Sequence, residues 1–296
     1  MPHKQIILLT VLYLLTACGG GSGASSAPSP RTANNTPTTV ANDQTPVTNK
    51  VSFSDVTNLE ATPSDRQFHY GSNSLQIMEY WPSQNTAKSL FIMVHGGCWS
   101  NSYRINQTYP MASAIATRTN YSVLSIEYRA VGDSGGGWPG SYNDIIDALN
   151  AVSSLTIDDY ETTVLAGHSA GGHLALLAAT ETNLPISAVI GLAAIVDIEK
   201  YSAGDSSCER AAKTFMGGSY QDIPDSYGQA NPVGRTLPQN LYLLYGELDN
   251  IVPLSHIEGS GLNFSSIEGA GHFDWLHPET NAFSYLVNLL NTLEQD

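Results

Sequence analysis

The stretch VLAGHSAGGHLALLAA, residues 164–179, places one serine between two glycines where a β-branched, aliphatic run gives way to a run rich in leucine and alanine. This change of pattern predicts a strand, a tight turn at Ser169 and a helix. Side chains would clash in so sharp a reversal, which explains Gly167 and Gly171 on either side of the serine. The helix would aim its N-terminus at Ser169, where it favours developing negative charge. The alternative is a glycine-flanked serine in an ordinary turn.

Strand-like and helix-like segments alternate along most of the chain. The apolar runs have the length of central strands that are covered on both faces. The predicted strands are residues 75–81, 89–94, 121–128, 162–166, 186–196, 240–245 and 264–267. One helix is predicted to begin at Ser141, with Asp144 completing an N-terminal cap, and the last helix follows Pro278. This alternation predicts an α/β fold with a mostly parallel central sheet and helices on both faces.

A serine hydroxyl is a weak nucleophile, so a reactive Ser169 requires a base that an acidic side chain holds in place. Asp249 lies just beyond a predicted buried strand, in LLYGELDNIVP, and His272 lies in the glycine-bounded segment GAGHFD. We predict that Asp249 is the acid and His272 the base. Glu247 is a rival acid, but Asp249, in the pattern D-x-x-V-P, fits the expected position of the acid better.

A reaction at a carbonyl group also needs hydrogen-bond donors for the oxygen that becomes negative. The segment HGGCW, residues 95–99, follows a predicted strand, and its glycines allow the backbone to approach a substrate closely. The predicted donors are the N–H groups of Gly96, Gly97 or Cys98, together with that of Ala170 beside the serine. Each such donor is worth about 10²–10³ in rate. A plain strand-ending turn is the alternative for this segment.

Five further histidines and three tryptophans have simpler expected positions. His95 is expected to brace its loop, His168 and His173 to pack beside the serine, and His256 and His277 to lie at the surface. Each of three tryptophans sits beside a motif and either lines the pocket or packs in the core: Trp99, Trp138 and Trp275.

In order and spacing, these motifs resemble those of α/β-hydrolases of the carboxylesterase and kynurenine-formamidase-like kind. The shared motifs are HGGCW, EYR, GGGWPGSYNDIIDAL, GHSAGGHLAL, DNIVP and GAGHFD, and the resemblance begins at about residue 70. It implies an α/β-hydrolase fold, a Ser–Asp–His order along the chain, and hydrolysis of an ester, or less often an amide, through an acyl-serine intermediate. It implies no metal or organic cofactor, and we find no zinc-spaced set of histidines or cysteines.

The resemblance is weakly specific for the substrate, so several functions stay open. The leading hypothesis is a serine esterase acting on short or medium acyl chains, including those of acetylated carbohydrate. An arylformamidase ranks second and an exopeptidase third. A catalytically inactive binding protein of the same fold is the alternative from a different class.

Two segments near the predicted site differ from the pattern of relatives. The chain before GAGH is short and contains Gly259 and Gly261, which predicts a truncated helix where relatives carry a full one. No long apolar insertion indicates a lid, and residues 201–229 are the predicted cover over the site. Cys208 lies in this cover. Cys208 and Cys98 either form a disulfide, which would tie the cover to residues 95–99, or remain two buried thiols.

The first residues resemble a bacterial lipoprotein signal. A positively charged start is followed by the apolar run IILLTVLYLL and then by LTAC at residues 15–18. By this resemblance residues 1–17 are a removed signal peptide and Cys18 carries a lipid. Gly19, where an aspartate would favour the inner membrane, favours the outer membrane of the cell envelope. An ordinary secretory signal is the alternative.

Composition separates a linker from one large domain. Residues 18–50 are rich in Gly, Ser, Thr, Asn and Pro and predict a disordered tether with a span on the order of 30 Å. Residues 51–296 are the predicted α/β-hydrolase catalytic domain, in the periplasm or at the cell surface. The net charge of −15 repels phosphate backbones, which argues against nucleic acid as a partner. The predicted partners are a small-molecule ester and, through Cys18 alone, a membrane.

Overall fold

The computed structural model describes residues 38–40, 50–86 and 88–295 of the 296-residue chain. The predicted signal peptide, Cys18 and most of the predicted linker lie outside these residues and stay predictions. Within the described ranges, no helix combines the length and the apolar character that crossing a membrane would require.

A nine-stranded sheet forms the centre of the described chain. Its strands are β1 (Thr38–Val40), β2 (Arg66–His69), β3 (Ile77–Trp81), β4 (Ser89–Val94), β5 (Tyr121–Ile126), β6 (Thr162–His168), β7 (Ala188–Leu192), β8 (Leu241–Gly246) and β9 (Ser265–Ile267). Their order across the sheet is β1-β9-β8-β7-β6-β4-β5-β3-β2. β3 runs antiparallel to β2 and to β5, whereas every other pair of neighbours is parallel. The mostly parallel sheet is therefore confirmed.

All seven predicted strands are present, and β1 and β2 are additional. β2 is half-exposed and polar, so it lacks the apolar run by which the other strands are recognised. β1 lies inside the segment for which the sequence predicts a disordered tether, and at these three residues the structure departs from that prediction. Two threonines and a valine, which favour strands, pair there in parallel with β9.

Nine helices are described along the chain. They are α1 (Phe53–Thr57), α2 (Tyr109–Arg118), α3 (Gly140–Ala151), α4 (Ala170–Ala178), α5 (Ile198–Ser202), α6 (Ser207–Met216), α7 (Pro224–Ala230), α8 (Leu254–Ile257) and α9 (Asn281–Leu293). The four residues of α8 confirm the truncated helix before GAGH.

The core has two parts because helices cover both faces of the sheet. Along β4, Ile92 and Val94 pack with residues of α3, α4 and α6, whereas Phe91 and Met93 pack with residues of α2 and α9. Alternate side chains of a strand point to opposite faces, so a continuous apolar run serves both layers.

The predicted cap of α3 is wrong. The helix begins at Gly140, and Ser141 lies inside its first turn, where its hydroxyl donates to the carbonyl of Arg129 at 2.6 Å. Asp144 is fully buried and accepts from Arg129 Nη2 at 2.6 Å and from Arg129 Nε at 2.9 Å. Both side chains hold the segment after β5 instead of capping the helix, a long-range role that the local pattern does not reveal.

Candidate active site

The turn between β6 and α4 holds Ser169 in a strained conformation. Its φ of 54° and ψ of −119° lie outside the regions that residues with a side chain usually adopt. The backbone fixes this geometry: the Ser169 N–H donates to the carbonyl of Leu192 at 2.9 Å, and the Ser169 carbonyl accepts from the His173 N–H at 3.1 Å. The serine thus stands at the carboxyl end of β6 and at the N-terminus of α4, as predicted.

The two glycines beside the serine are required by close backbone approach. A Cβ at Gly167 would lie 2.3 Å from the carbonyl oxygen of Gly171. A Cβ at Gly171 would lie 2.3 Å from the carbonyl oxygens of Val94 and His95, which belong to the end of β4 and the loop after it. Gly171 therefore sets how near the serine turn comes to the loop at residues 95–99.

We expect Gly171→Ala to push this loop away from the serine and to lower the free energy of unfolding by about 1–3 kcal/mol. The matched control is Gly228→Ala, in the exposed part of α7, where a Cβ would meet nothing within 4 Å. That change should instead raise stability by about 0.5–1 kcal/mol, because alanine favours the helix. Urea unfolding of both variants checks this, and equal effects would contradict the contact.

The acid and the base meet directly. Asp249 Oδ2 lies 2.7 Å from His272 Nδ1, and Asp249 Oδ1 accepts from the N–H groups of Ile251 at 2.8 Å and Val252 at 2.9 Å. The side chain of Asp249 is fully buried and that of His272 is 5% exposed. Because a carboxylate accepts, Nδ1 carries the proton, and Nε2 is left to accept a proton from a hydroxyl.

The rival acid is excluded by its position. Glu247 Oε1 accepts from Ser266 Oγ of β9 at 3.1 Å, and within the described residues Glu247 makes no hydrogen bond or ion pair with His272. Its backbone joins the same loops, since the N–H groups of Glu247 and Leu248 donate to the carbonyls of Ile267 and Ala270. These bonds tie the loop after β8 to the loop after β9, which keeps the acid and the base together.

Ser169 and His272 line one cavity of about 230 Å³ at the carboxyl edge of the sheet. Its other lining residues are Phe53, Gly97, Cys98, Tyr103, Gln107, His168, Ser206, Ser207, Cys208, Asn250, Ile251 and Phe273. None of these is a lysine, arginine, aspartate or glutamate. Trp99, Trp138 and Trp275 are also not among them. Trp99 and Trp275 are fully buried in the core, whereas Trp138 is only partly buried and packs against it.

The loop after β4 lies against the serine. A Cβ at Gly96 would lie 3.1 Å from Ser169 Cβ, and Gly97 has a φ of 110°, which side chains disfavour. In the part of the chain that the structure describes, the N–H groups of Gly97 and Ala170 donate to no other residue. They are free to bind an oxygen beside Ser169, while Gly96 brings the loop close to the serine.

A buried contact between a histidine and a glutamate braces this loop. His95 Nε2 lies 3.1 Å from Glu127 Oε1, and Glu127 Oε2 accepts from the Ile105 N–H at 2.9 Å. Burial raises the pKa of Glu127, but the interactions of its carboxylate with His95, with the Ile105 N–H and with Arg104 together lower that pKa overall. His95 also stacks on Tyr128 at 4.4 Å between ring centroids. His95 therefore braces the loop, as predicted.

Helix α6 holds the loop from the other side. Cys98 and Cys208 form a disulfide, and Trp99 stacks on Phe215 of α6 at 4.8 Å. Cys98 and Trp99 both have positive φ values, 51° and 56°, so two strained residues are held by two contacts to one helix. Since Ser206, Ser207 and Cys208 line the cavity, the predicted cover includes the start of α6.

We expect removal of the disulfide in Cys98→Ser/Cys208→Ser to lower the free energy of unfolding by about 2–5 kcal/mol, because the bond closes a loop of 110 residues. We also expect kcat to fall more than KM rises, since the loop that carries the Gly97 donor loses its covalent anchor. Denaturant titration measures the change in stability and steady-state kinetics the change in kcat, and wild-type protein with its disulfide reduced serves as the comparison. An unchanged denaturant midpoint and unchanged kcat would contradict this role.

The histidine beside the serine supports the base. His168 Nε2 lies 2.9 Å from the carbonyl oxygen of His272, which can only accept, so the proton is on Nε2. Full burial lowers the pKa of His168 well below its usual value and keeps the ring neutral. His173 is buried too, and its Nε2 donates to the carbonyl of Ala230 at 2.7 Å.

The expected surface positions of His256 and His277 are wrong. Both are buried, at 5% and 7% exposure. His256 Nε2 accepts from the Val196 N–H at 3.2 Å, and His277 Nδ1 accepts from the Glu279 N–H at 3.2 Å. Ring nitrogens that satisfy backbone donors can be buried. The partner of His277 is only two residues away, whereas that of His256 lies 60 residues earlier, where no local pattern reveals it.

Sequence reasoning missed several residues of the cavity. Phe273 lies inside the motif GAGHFD, next to His272, and Asn250 lies inside DNIVP, next to Asp249. Their positions beside the predicted base and acid could therefore have marked both as cavity residues. Phe53 and Tyr103 lie outside the quoted motifs, and nothing local marks them. In the described residues, no cluster of three or more histidine, cysteine, aspartate or glutamate side chains could hold a metal ion.

The parallel sheet, the serine turn after β6, and the acid and base loops after β8 and β9 define an α/β-hydrolase. The chain belongs to the BD-FAE family, whose family model matches residues 77–259.

Esterase LipC of Mycobacterium tuberculosis (strain ATCC 25618 / H37Rv) is 25% identical over 264 residues, which cover 75% of this chain and 64% of LipC. The chain thus spans less than two thirds of the length of that relative. Among solved structures, esterase B from Lactobacillus rhamnosis has a TM-score of 0.67 at 18% identity, covering 82% of this chain and 90% of that protein. A truncated carbohydrate esterase from gut microbiota has a TM-score of 0.62 at 18% identity, with coverages of 79% and 98%. These likenesses establish the fold.

Proposed function

We propose that the protein is a serine hydrolase that cleaves carboxylic esters of short to medium acyl chain through an acyl-serine intermediate. The observation that carries the proposal is the 2.7 Å contact between Asp249 and His272, with His272 and Ser169 in one cavity. LipC, esterase B and the gut carbohydrate esterase are named as esterases, which agrees with this chemistry.

In the first half of the reaction, Ser169 Oγ forms a bond to the acyl carbon while its proton passes to His272 Nε2. The former carbonyl oxygen becomes negative and is bound by the N–H groups of Gly97 and Ala170. The N-terminus of α4 favours this charge as well. Asp249 stabilises the positive imidazole, the bond to the alcohol oxygen breaks, and His272 gives that oxygen its proton.

In the second half, water attacks the acyl-serine and loses a proton to His272. The bond to Ser169 Oγ breaks, the acid leaves, and the proton returns to the serine. No cofactor takes part in these steps, because the oxyanion donors and the Asp249–His272 pair supply the acid–base and electrostatic catalysis.

The cavity supports a small, neutral acyl group. Its volume of about 230 Å³ is below the range of roughly 300–1,000 Å³ that is usual for sites of drug-sized ligands. Its lining contains no lysine or arginine to pair with an anionic acyl group, and the chain carries a net charge of −15. We therefore expect acetyl to hexanoyl esters to be better substrates than succinyl or longer acyl esters.

A panel of p-nitrophenyl esters from acetyl to dodecanoyl tests the proposal, with N-formylkynurenine and acetylated xylan as further substrates and Ser169→Ala as the blank. The proposal expects Ser169-dependent hydrolysis with the highest kcat/KM among the short esters. Hydrolysis of N-formylkynurenine alone would favour an arylformamidase, and no Ser169-dependent turnover of any substrate would favour a binding protein.

We also propose that the protein is a lipoprotein of a bacterial cell envelope, anchored through Cys18. The proposal rests on the sequence LTAC and on the small, polar residues that follow it. Metabolic labelling with a palmitate analogue should mark the wild type and leave Cys18→Ser unmarked. Equal labelling of both proteins, or no labelling of either, would contradict the anchor.

A further inference from the structure

A short helix that precedes the first recognised motif reaches the candidate active site. Phe53, the first residue of α1, lines the cavity together with Ser169 and His272 and is only half-buried. Its ring centroid lies 5.2 Å from that of Tyr103 and 5.6 Å from that of Phe273, both with edge-on geometry. These three rings make an apolar end of the cavity, called the aromatic end below.

The cavity also has polar lining residues. Ser206, Ser207 and Asn250 line it, and Ser206 and Ser207 stand at the start of α6. An apolar part of a substrate therefore gains most by contacting the aromatic end.

Helix α1 is fixed to the loop of the base. Asp274, two residues after His272, is fully buried; its Oδ2 accepts from the Lys50 N–H at 2.7 Å and its Oδ1 from the Val51 N–H at 2.9 Å. Ser52 caps the helix: its Oγ accepts from the Asp55 N–H at 3.2 Å, and Asp55 Oδ2 accepts from the Ser52 N–H at 2.7 Å. Val56 is fully buried. Phe53 is thus held in place relative to His272 by one part-buried and one buried hydrogen bond and by a packed helix.

We propose that the aromatic end binds the apolar part of the substrate and that Phe53 limits the length of chain that fits there. The proposal rests on the ester hydrolysis proposed above and adds a residue that sets its substrate range. Because α1 lies outside residues 77–259, which match the family model, this limit is supplied by a segment outside the family-matched core.

The test compares wild type with Phe53→Ala and with Val56→Ala, a matched control that loosens α1 without changing a residue of the cavity. Two substrate series are used: p-nitrophenyl esters from acetyl to decanoyl, and acetate esters of alcohols from ethanol to octanol. Each methylene admitted to an apolar site is worth up to about fourfold in kcat/KM. For Phe53→Ala we expect the preference for eight carbons over two to rise at least tenfold in one series.

The series that changes identifies whether the aromatic end holds the acyl chain or the alcohol. An unchanged profile in both series, or an equal change in Val56→Ala, would overturn the assignment to the ring of Phe53. Loss of Ser169-dependent hydrolysis from wild type would instead count against the proposed function. Calorimetric binding of alkylboronic acids of two to eight carbons, which needs no turnover, should show the same shift and decides the case if Phe53→Ala is inactive.

Discussion

Ser169→Ala is expected to lower kcat for p-nitrophenyl acetate by about 10⁴–10⁶-fold while leaving the protein folded. The hydroxyl is the only atom removed, and the strained turn depends on backbone hydrogen bonds to Leu192 and His173 that alanine keeps. Initial rates, with hydrolysis in buffer subtracted, measure the loss. Circular dichroism and the thermal midpoint establish that the fold is intact.

The matched control for this change is Ser284→Ala, on α9, where the hydroxyl is exposed and donates only to the carbonyl of Thr280. This variant should keep the rate of wild type. A Ser169→Ala protein that retained more than a tenth of the wild-type kcat would show that the reaction does not pass through this serine.

Asp249→Asn is expected to lower kcat by about 10⁴-fold with little change in KM. The N–H groups of Ile251 and Val252 both donate to Oδ1, so the amide oxygen of an asparagine should stay at that position. Its NH2 group would then face His272 Nδ1 and donate to it. The imidazole would carry its proton on Nε2, where it could no longer accept the proton of Ser169.

Glu247→Gln is the control, because Glu247 is a second carboxylate two residues away that accepts a hydrogen bond from Ser266. Its kcat should stay within about twofold of wild type. Equal losses of kcat in the two variants would indicate a general effect of negative charge at this edge of the sheet. A greater loss of kcat in Glu247→Gln would show that Glu247, and not Asp249, is the catalytic acid.

The fold, and the position of the proposed catalytic residues at one edge of the sheet, could be predicted because their signals are local. Strands β4 to β8 are apolar runs buried on both faces, and the turn at Ser169 requires the glycines that surround it. The acid and the base each follow a predicted strand, and the carboxyl ends of parallel strands meet at one edge of the sheet. The positions of Ser169, Asp249 and His272 after predicted parallel strands were therefore enough to predict that all three lie at the same edge of the sheet.

Long-range polar contacts could not be predicted. Asp144 resembles a capping residue in its own helix, yet its partner Arg129 lies before that helix, after β5. Asp274 binds backbone groups more than 220 positions away, as the separations of 224 and 223 residues show. His256 likewise accepts from the backbone of Val196. In each case a buried group is satisfied by a distant segment, and only the packed structure brings the two together.

Covalent labelling of the nucleophilic serine tests the central claim most directly. The native protein would be treated with a fluorophosphonate, digested, and mapped by mass spectrometry, with Asp249→Asn treated alongside. We predict one adduct per chain, on the peptide that contains Ser169, formed much more slowly in Asp249→Asn. An adduct on another residue, or a protein that hydrolyses esters without forming any adduct, would contradict the account.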